Sequence, residues 1–250
     1  IARLRVVAVL PKVQPFMNQP VLGVSAEDPG KAVLGTVPVE QDGSAYFAVP
    51  SGVPVFFQAL DSENMAVRTM RTLTYVQPGE ALSCVGCHES RDSAPVMSHF
   101  PAAARRAPSL LTPEAEGTWP LRYDVLVQPV LDRSCVQCHA PDNKDTQAAA
   151  FDLTPKKSYD TLIGHAGNDL RTLAFEKDRS DIGDCVARQS KLLAFLTTEG
   201  GHEGIVLDPA SLNRLKVWMD TYAHRQGAFS AEQEAQLVAM RKQARWLAEN

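Results

Sequence analysis

This chain contains the stretch Cys135-Val136-Gln137-Cys138-His139, which follows the apolar run 123–131. The same pattern stands earlier in the sequence as Cys84-Val85-Gly86-Cys87-His88. Two cysteines two residues apart, with histidine directly after the second, are the attachment signature of a c-type haem: the thiols bind the porphyrin and the histidine binds the iron. The two copies use four of the five cysteines. The sequence therefore predicts two covalently bound haem c groups, with His88 and His139 as iron ligands.

Two other kinds of site use paired cysteines. Two Cys-x-x-Cys pairs can hold a structural zinc ion through four thiolates. A single pair can act as a redox dithiol where it opens a helix in a βαβ pattern, which this sequence lacks. Neither site needs a histidine directly after the second cysteine, so haem is the leading interpretation and zinc the alternative. Cys185 has no partner that the sequence can name, and a buried thiol, a surface thiol and a bridge between two chains all remain open.

Composition places the chain among ordinary globular proteins and limits its partners. Of its 250 residues 44% are hydrophobic and 22% are charged. A net charge of −4 argues against nucleic acid as a partner, because no basic stripe is available to neutralise phosphates. No run is long enough to span a bilayer, and no signal peptide is evident. Because haem is attached covalently outside the cytoplasm, we expect a mature or trimmed extracytoplasmic protein, periplasmic in a bacterium.

The first part of the chain, residues 1–80, has the pattern of short β-strands punctuated by proline and glycine. Strand candidates are 4–10, 33–37, 46–49, 53–60 and 66–76. Asp42-Gly43 lies between the second and third of these and is a strong hairpin signal. Close spacing of such strands predicts a small antiparallel β-sandwich.

The period becomes helical in residues 119–250, after a segment, 81–118, that holds the first motif and a linker rich in proline and alanine. We expect helices over 123–131, where Pro129 bends or begins the helix, and over 189–196. Asp208-Pro209 predicts the start of a helix that carries Trp218, and Ser230 with Gln233 predicts the start of the last one. This layout is that of a cytochrome c-like domain, so the fold class predicted is α+β and multidomain.

The second axial ligand decides the chemistry of each haem, because an iron with both positions filled transfers electrons and one with an open position can bind a substrate. No methionine lies between His139 and Met219. His202 stands among glycines just before the Trp218 helix, and we take it as the distal ligand of the second haem. His165 is the other candidate in that stretch. His224, on the late helix, is predicted to be a surface residue.

The distal ligand of the first haem is not assigned by the sequence. Met97 and His99 follow His88 closely, and His165 could serve either haem. An open position is a further alternative.

Several segments together have a pattern known from other proteins, and they are 37–47, 56–61, 75–80, 84–89, 127–132 and 190–193. These segments resemble the middle and C-terminal regions of the hydrazine synthase alpha-subunit-like cytochromes. The resemblance implies an extracytoplasmic dihaem module in which Cys84, Cys87 and His88 bind one haem and Cys135, Cys138 and His139 the other. It also places His202 where the family has a histidine before the last cytochrome helix.

Two departures from the family pattern concern activity. The hydrazine-forming subunit has a tyrosine four residues beyond the first motif's histidine, where this chain has Asp92. The β-propeller that precedes these domains in that subunit is also missing from this sequence. We therefore do not predict hydrazine synthesis.

Two functions from different classes follow. The first is an electron-transfer module that passes electrons between redox partner proteins, on its own or within a larger cytochrome complex. The second is a haem enzyme in which an open first haem acts on a small substrate, such as a peroxide or a nitrogen compound, while the second relays electrons. Glu89, Arg91 and Asp92 are available for acid–base work near the first haem, although exposed charges are usually only solvated. Covalent haems serve most often as carriers, which favours electron transfer.

Overall fold

The computed structural model describes residues 1–15, 19–86, 100–176 and 182–244. Within these ranges the chain forms an antiparallel sheet followed by helices. The strands are β1 (Arg3–Leu10), β2 (Gly30–Pro38), β3 (Val55–Leu60) and β4 (Ala66–Thr69). Their order is β2-β1-β3-β4, so β1 is hydrogen-bonded on both sides. The α+β class predicted from the sequence is confirmed.

The outer edge of β2 is covered by a later segment of the chain. Thr36 and Thr112 each donate a backbone N–H to the carbonyl of the other at 2.8 Å. The neighbouring Gly35 has φ +149°, and a Cβ at this position would lie 2.6 Å from the carbonyl oxygen of Thr112. Glycine is required here because only a residue without a side chain permits so close an approach.

The predicted hairpin between 33–37 and 46–49 is wrong, although its turn forms. The N–H of Gly43 donates to the carbonyl of Glu40 at 2.9 Å. The residues after this turn do not return along β2, because Thr112 occupies that edge, and Phe47 forms a bridge with Ser109 instead. β4 is also shorter than the predicted strand 66–76. The described part of the chain thus contains a single sheet where the two sheets of a β-sandwich were expected.

The helices of the described residues agree in part with the sequence: the first two and the last three lie close to predicted helices, and the three between them were not predicted. These helices are α1 (Tyr123–Leu126), α2 (Gln128–Ser134), α3 (Thr146–Ala150), α4 (Ser158–Phe175), α5 (Val186–Gln189), α6 (Lys191–Leu196), α7 (Pro209–Asp220) and α8 (Ala231–Gln243), with a short 3-10 helix at Ala102–Arg105. Val127 separates α1 from α2, and Pro129 lies in the first turn of α2. That these helices form a cytochrome c-like domain stays a prediction.

Side chains at the helix starts account for their positions. Asp208 caps α7 by accepting the N–H of Ser211 at 2.8 Å, and Ser230 caps α8 by accepting that of Gln233 at 3.2 Å. These are the two caps predicted from the sequence. Among the helices of the described residues, none has the length and apolar character needed to cross a membrane.

Both faces of the sheet are buried. On one face Val7 and Phe56 share an apolar core with the helices, and Tyr123, Tyr159 and Trp218 lie at its centre. The rings of Tyr123 and Trp218 have centroids 5.3 Å apart, and those of Tyr123 and Tyr159 are 5.2 Å apart. The opposite face packs against a different set of side chains, which includes Leu111, Trp119 and Leu237. Helices and an irregular segment therefore provide the layers that cover the sheet.

Buried polar groups join the sheet to the helices. Arg5 in β1 has no exposed surface, and its guanidinium donates to the side chain of Gln58 at 3.0 Å and to Glu114 at 3.3 Å. Asp220, at the end of α7, accepts the backbone N–H of Ala66 at 2.8 Å and that of Ala187 at 2.9 Å. One carboxylate thus fixes the positions of β4 and α5 relative to α7.

Candidate haem-binding site

The second motif forms a tight turn at the end of α2, with Cys135 as the C-terminal cap of that helix. The backbone N–H groups of Cys138 and His139 both donate to the carbonyl of Cys135 at 3.0 Å. The carbonyl of His139 in turn accepts the N–H of Leu153 at 2.9 Å. Hydrogen bonds on both sides of the residue therefore fix the backbone of His139.

The imidazole of His139 is oriented by a backbone carbonyl. Its Nδ1 lies 3.1 Å from the carbonyl oxygen of Ala148, in α3. A carbonyl can only accept, so Nδ1 carries a proton, and in the neutral imidazole Nε2 then keeps its lone pair. A metal-binding histidine is typically held in this way, since the second nitrogen's hydrogen bond sets both the tautomer and the ring orientation.

His202 is presented by a narrow turn. The backbone groups of His202 and Ile205 are bonded in both directions, at 3.2 Å and 2.8 Å. Gly201 has φ +71°, and a Cβ there would lie 2.1 Å from the carbonyl oxygen of Ile205. The closeness of the Ile205 carbonyl therefore requires glycine at position 201.

The turn brings the imidazole of His202 next to that of His139. Their ring centroids are 5.9 Å apart and their planes are inclined by 25°. Two imidazoles that bind one metal ion from opposite sides, each at about 2 Å, have ring centres roughly 6 Å apart. Both side chains are partly buried. The observed separation therefore suits an iron held between them.

His139 and His202 belong to a closed circuit of aromatic rings. Around the circuit the centroid distances are 5.5 Å from His139 to Phe151, 5.5 Å from Phe151 to His165, 6.3 Å from His165 to Phe195 and 4.9 Å from Phe195 to His202. The 5.9 Å contact between His202 and His139 closes it. We call these five side chains the five-ring circuit. His165 lies within it but makes ring contacts with the phenylalanines, and the two other histidines contact each other.

Apolar side chains close to the histidines are exposed. Phe195 keeps 46% of its surface exposed and Val206 keeps 73%. Ile205, in the His202 turn, is also exposed. Exposed apolar side chains grouped around partly buried polar ones are typical of a binding surface.

The thiols of the second motif differ in their surroundings. Cys135 is partly buried against the helical core and Cys138 is exposed, and neither forms a disulfide. Burial raises the pKa of the Cys135 thiol, and the neighbouring Cys138 adds to this effect. Within the described ranges no group of three or more histidine, cysteine, aspartate or glutamate side chains is arranged to hold a metal ion.

The first motif lies mostly outside the described residues. Cys84 is described and exposed. Cys87 and His88 fall outside the described ranges, and so do Met97 and His99, the candidates for the distal position of the first haem. The predicted ligands of that haem therefore stay predictions.

Two residues outside the motifs take positions that decide open questions. Cys185 is buried at the start of α5, 3.7 Å from the hydroxyl of Thr69, and burial raises its pKa to about 11. The prediction that His224 is a surface residue is wrong, because only 1% of it is exposed. The chain turns back after α7 through Tyr222 and Ala223, both with positive φ, and carries His224 towards β2, where its Nε2 lies 3.2 Å from Lys31 Nζ.

Three parts of the site were not predicted from the sequence. Ala148 contributes only a carbonyl, which every residue has, so no residue type could signal it. Phe151 and Phe195 carry only a weak signal in the sequence, which is that each is an aromatic residue near a candidate histidine. Only the fold places both phenylalanines in the five-ring circuit.

Comparison with known proteins relates this chain to one family. Residues 2–89 match the profile of the hydrazine synthase alpha subunit middle domain. The chain is 38% identical over 58 residues to hydrazine synthase subunit alpha of Kuenenia stuttgartiensis, an alignment that covers 23% of this chain and 7% of that protein. The solved structure of Kuenenia stuttgartiensis hydrazine synthase has a TM-score of 0.60 to this chain at 18% identity, covering 91% of this chain and 39% of that one.

The coverage and sequence identity of these matches determine what they show about this chain. The chain spans well under half the length of either relative. At 18% identity the structural likeness shows a shared fold. The profile match ends at residue 89, directly after the first motif, so it covers the sheet and that motif. The resemblance predicted from the sequence is confirmed, because residues 2–89 are similar to the middle domain of the hydrazine synthase alpha subunit.

Proposed function

We propose that this chain is a dihaem c-type cytochrome module that transfers electrons between redox partners outside the cytoplasm. The observation that carries the proposal is the pairing of His139 with His202. The centroids of the two imidazoles lie 5.9 Å apart, and His139 belongs to a haem attachment motif.

The second motif and the side chains around it fit haem c in three respects. Cys135 and Cys138 would form the two thioether bonds, and the exposure of Cys138 leaves its sulfur accessible to an incoming porphyrin. His139 has its Nδ1 proton engaged by the Ala148 carbonyl, which leaves Nε2 to bind iron. Phe195 and Ile205 offer exposed apolar surface that a flat apolar group would cover.

The second axial ligand favours electron transfer at this haem. His139 and His202 would both bind the iron, so that no position would be left for a substrate. When bound, the haem supplies a reversible one-electron couple, whose potential depends strongly on the axial ligands. The protein's part is to hold both imidazoles in place: the Ala148 carbonyl orients one, and the Ile205 turn presents the other.

A haem enzyme is the second candidate, and one observation favours it. The segment that matches the alpha subunit of hydrazine synthase, 2–89, ends on the first motif. An open position at the first haem would let it act on a small substrate while the second haem relays electrons. Asp92 replaces the family's tyrosine near that motif, so we do not propose hydrazine synthesis.

Assembly with other proteins is part of the proposal. The curated relative is named as a subunit, and a chain that carries electrons needs a donor and an acceptor. We propose redox proteins as partners, within or outside a larger complex. The periplasm of a bacterium is the compartment we propose, since covalent haem attachment takes place outside the cytoplasm.

Haem counting tests the cofactor. The chain would be produced with export to the periplasm, and its haem content measured per chain as the pyridine haemochrome. We expect two haems in the wild type, one in Cys84→Ala/Cys87→Ala and one in Cys135→Ala/Cys138→Ala. A protein that contains no haem and binds zinc would refute the proposal and support the alternative interpretation of the motifs.

Spectroscopy of the oxidised protein tests the function. Two low-spin signals that cyanide does not change would support electron transfer, because both irons would then have two protein ligands. A high-spin signal that cyanide converts, and that persists in Cys135→Ala/Cys138→Ala, would place an open position at the first haem and favour the enzyme.

Substitution of His202 tests its role directly. His202→Met should keep the second haem low-spin and raise its midpoint potential, since methionine in place of histidine raises the potential of a c-type haem. His202→Ala should give a high-spin signal. Glu199→Ala, an exposed residue before the same turn, is the matched control and should change neither property. An unchanged spectrum in His202→Ala would exclude His202 as a ligand.

A further inference from the structure

His165 occupies a position in the five-ring circuit that neither motif nor axial ligation explains. Its ring contacts Phe151 at 5.5 Å and Phe195 at 6.3 Å. Phe151 contacts His139, and Phe195 contacts His202. His165 therefore lies across the circuit from the histidine pair, separated from each member by one phenylalanine.

The backbone holds His165 there by interrupting α4. His165 itself has extended geometry, with ψ 148°, and the next three residues are left-handed. Two of them, Ala166 at φ +51° and Asn168 at φ +67°, are not glycine. Left-handed geometry costs energy for such residues and persists where the surrounding structure imposes it. The break therefore belongs to a defined local structure that faces the site.

The order of the rings suggests where His165 would lie relative to a bound haem. A haem held by His139 and His202 would have Phe151 beside the first ligand and Phe195 beside the second. His165 contacts both phenylalanines, so its ring would lie near the edge of such a haem.

We infer that His165 donates a hydrogen bond to a carboxylate of the haem bound at His139. This inference rests on the proposed haem at that site. The carboxylates are the polar groups on the edge of haem c, and a neutral imidazole has one N–H to donate. Within the described residues the ring nitrogens of His165 have no hydrogen-bond partner, and the side chain is partly buried. A hydrogen bond to an ionised group is among the stronger kinds and offsets part of its charge.

The role is that of a positioning residue that tunes the haem. Hydrogen bonding around a haem is one of the means by which a protein sets its potential. A carboxylate that loses its donor keeps more negative charge near the iron, which favours the oxidised state. Removal of the His165 donor should therefore lower the midpoint potential of the second haem and leave both axial ligands in place.

Three substitutions separate the donor from the ring. They are made in the full chain, in the Cys84→Ala/Cys87→Ala background, so that the second haem is titrated alone. His165→Phe keeps a ring and removes the donor, His165→Gln keeps a donor without the ring, and His165→Ala removes both. We expect a lower potential in His165→Phe and His165→Ala, recovery towards the wild-type value in His165→Gln, and an unchanged low-spin signal throughout. Thr172→Ala, exposed on the same helix, is the control and should match the background.

Each other outcome contradicts the inference in a recognisable way. A wild-type potential in all three variants would show that His165 does not contact the haem carboxylate. A normal potential in His165→Phe with a lowered one in His165→Ala would mean that the ring acts by packing alone. A high-spin signal in His165→Ala would make His165 an axial ligand. Absence of haem from the background protein would instead refute the proposed function itself.

Discussion

Replacement of Asp220 should lower the stability of the protein, because this residue connects the sheet to the helices. Asp220 is 1% exposed at the end of α7. One carboxylate oxygen accepts the N–H of Ala187 at 2.9 Å, and the other accepts that of Ala66 at 2.8 Å and lies 3.9 Å from Arg5 Nη1. The side chain thereby satisfies two buried backbone donors and faces one buried cation.

The size of the effect follows from the donors left without an acceptor. An unsatisfied buried donor costs about 1–3 kcal/mol, so Asp220→Ala should lower the free energy of unfolding by about 2–6 kcal/mol. Arg5 would still have Glu114 at 3.3 Å, so its charge adds less than the loss of a sole partner would. Asp220→Asn keeps one acceptor oxygen and should lose about 1–3 kcal/mol. Asp142→Asn, an exposed loop aspartate, is the matched control and should change stability by less than about 0.5 kcal/mol.

The pH dependence of stability should show whether burial or ion pairing prevails at Asp220. Burial raises the pKa of Asp220 above its ordinary value, and the Arg5 guanidinium opposes this shift. The folded chain then holds the proton more tightly than the unfolded chain, so this group contributes most to stability at pH below its unfolded value of 3.8, and the contribution falls as pH rises through the folded pKa. The difference in free energy of unfolding between the wild type and Asp220→Asn should therefore grow as the pH falls.

Urea unfolding followed by tryptophan fluorescence measures these differences, at neutral pH and at pH 4. A loss below about 1 kcal/mol in Asp220→Ala would refute the assignment of Asp220 as the acceptor for two buried amides. A margin over Asp220→Asn that shrinks on acidification would show that ion pairing with Arg5 outweighs burial.

Three further predictions concern positions outside the site. Ser230→Ala should lower the free energy of unfolding by about 1 kcal/mol in urea titrations, because the first turn of α8 loses its cap; an unchanged midpoint would contradict the 3.2 Å bond to Gln233. Gly35→Ala should lower the free energy of unfolding by about 1–3 kcal/mol or more, since φ is +149° and the new Cβ would meet the Thr112 carbonyl. Gly43→Ala has no atom within 4 Å of its new Cβ, so it should lower that free energy by less. Cys185 should resist maleimide at pH 8 in the folded protein and react once urea unfolds it, because burial raises its pKa to about 11; rapid labelling of the folded protein would contradict this.

Features set by neighbouring residues could be predicted from the sequence. β1 and β3, the caps at Asp208 and Ser230, and the break near Pro129 all depend on patterns a few residues long. Local hydrogen bonding and backbone restriction determine such features, so the sequence carries enough information to place them.

Features that depend on which distant segment occupies an edge could not be predicted. The turn at Asp42-Gly43 is a local structure and forms, but the hairpin beyond it fails because Thr112 occupies the edge of β2. His224 was expected at the surface because a polar residue near the end of a helix usually lies there. Positive φ values at Tyr222 and Ala223 reverse the chain and bury His224. Neither residue is glycine, so the sequence gives no signal for this reversal.

The candidate site combines both kinds of information. A motif of five residues names Cys135, Cys138 and His139, and the turn it makes is local. The distance between His139 and His202, by contrast, depends on distant segments: Leu131 before the motif and Leu207 after the His202 turn belong to the same apolar core. The sequence can therefore name two histidines as candidates, and the core decides whether an iron could lie between them.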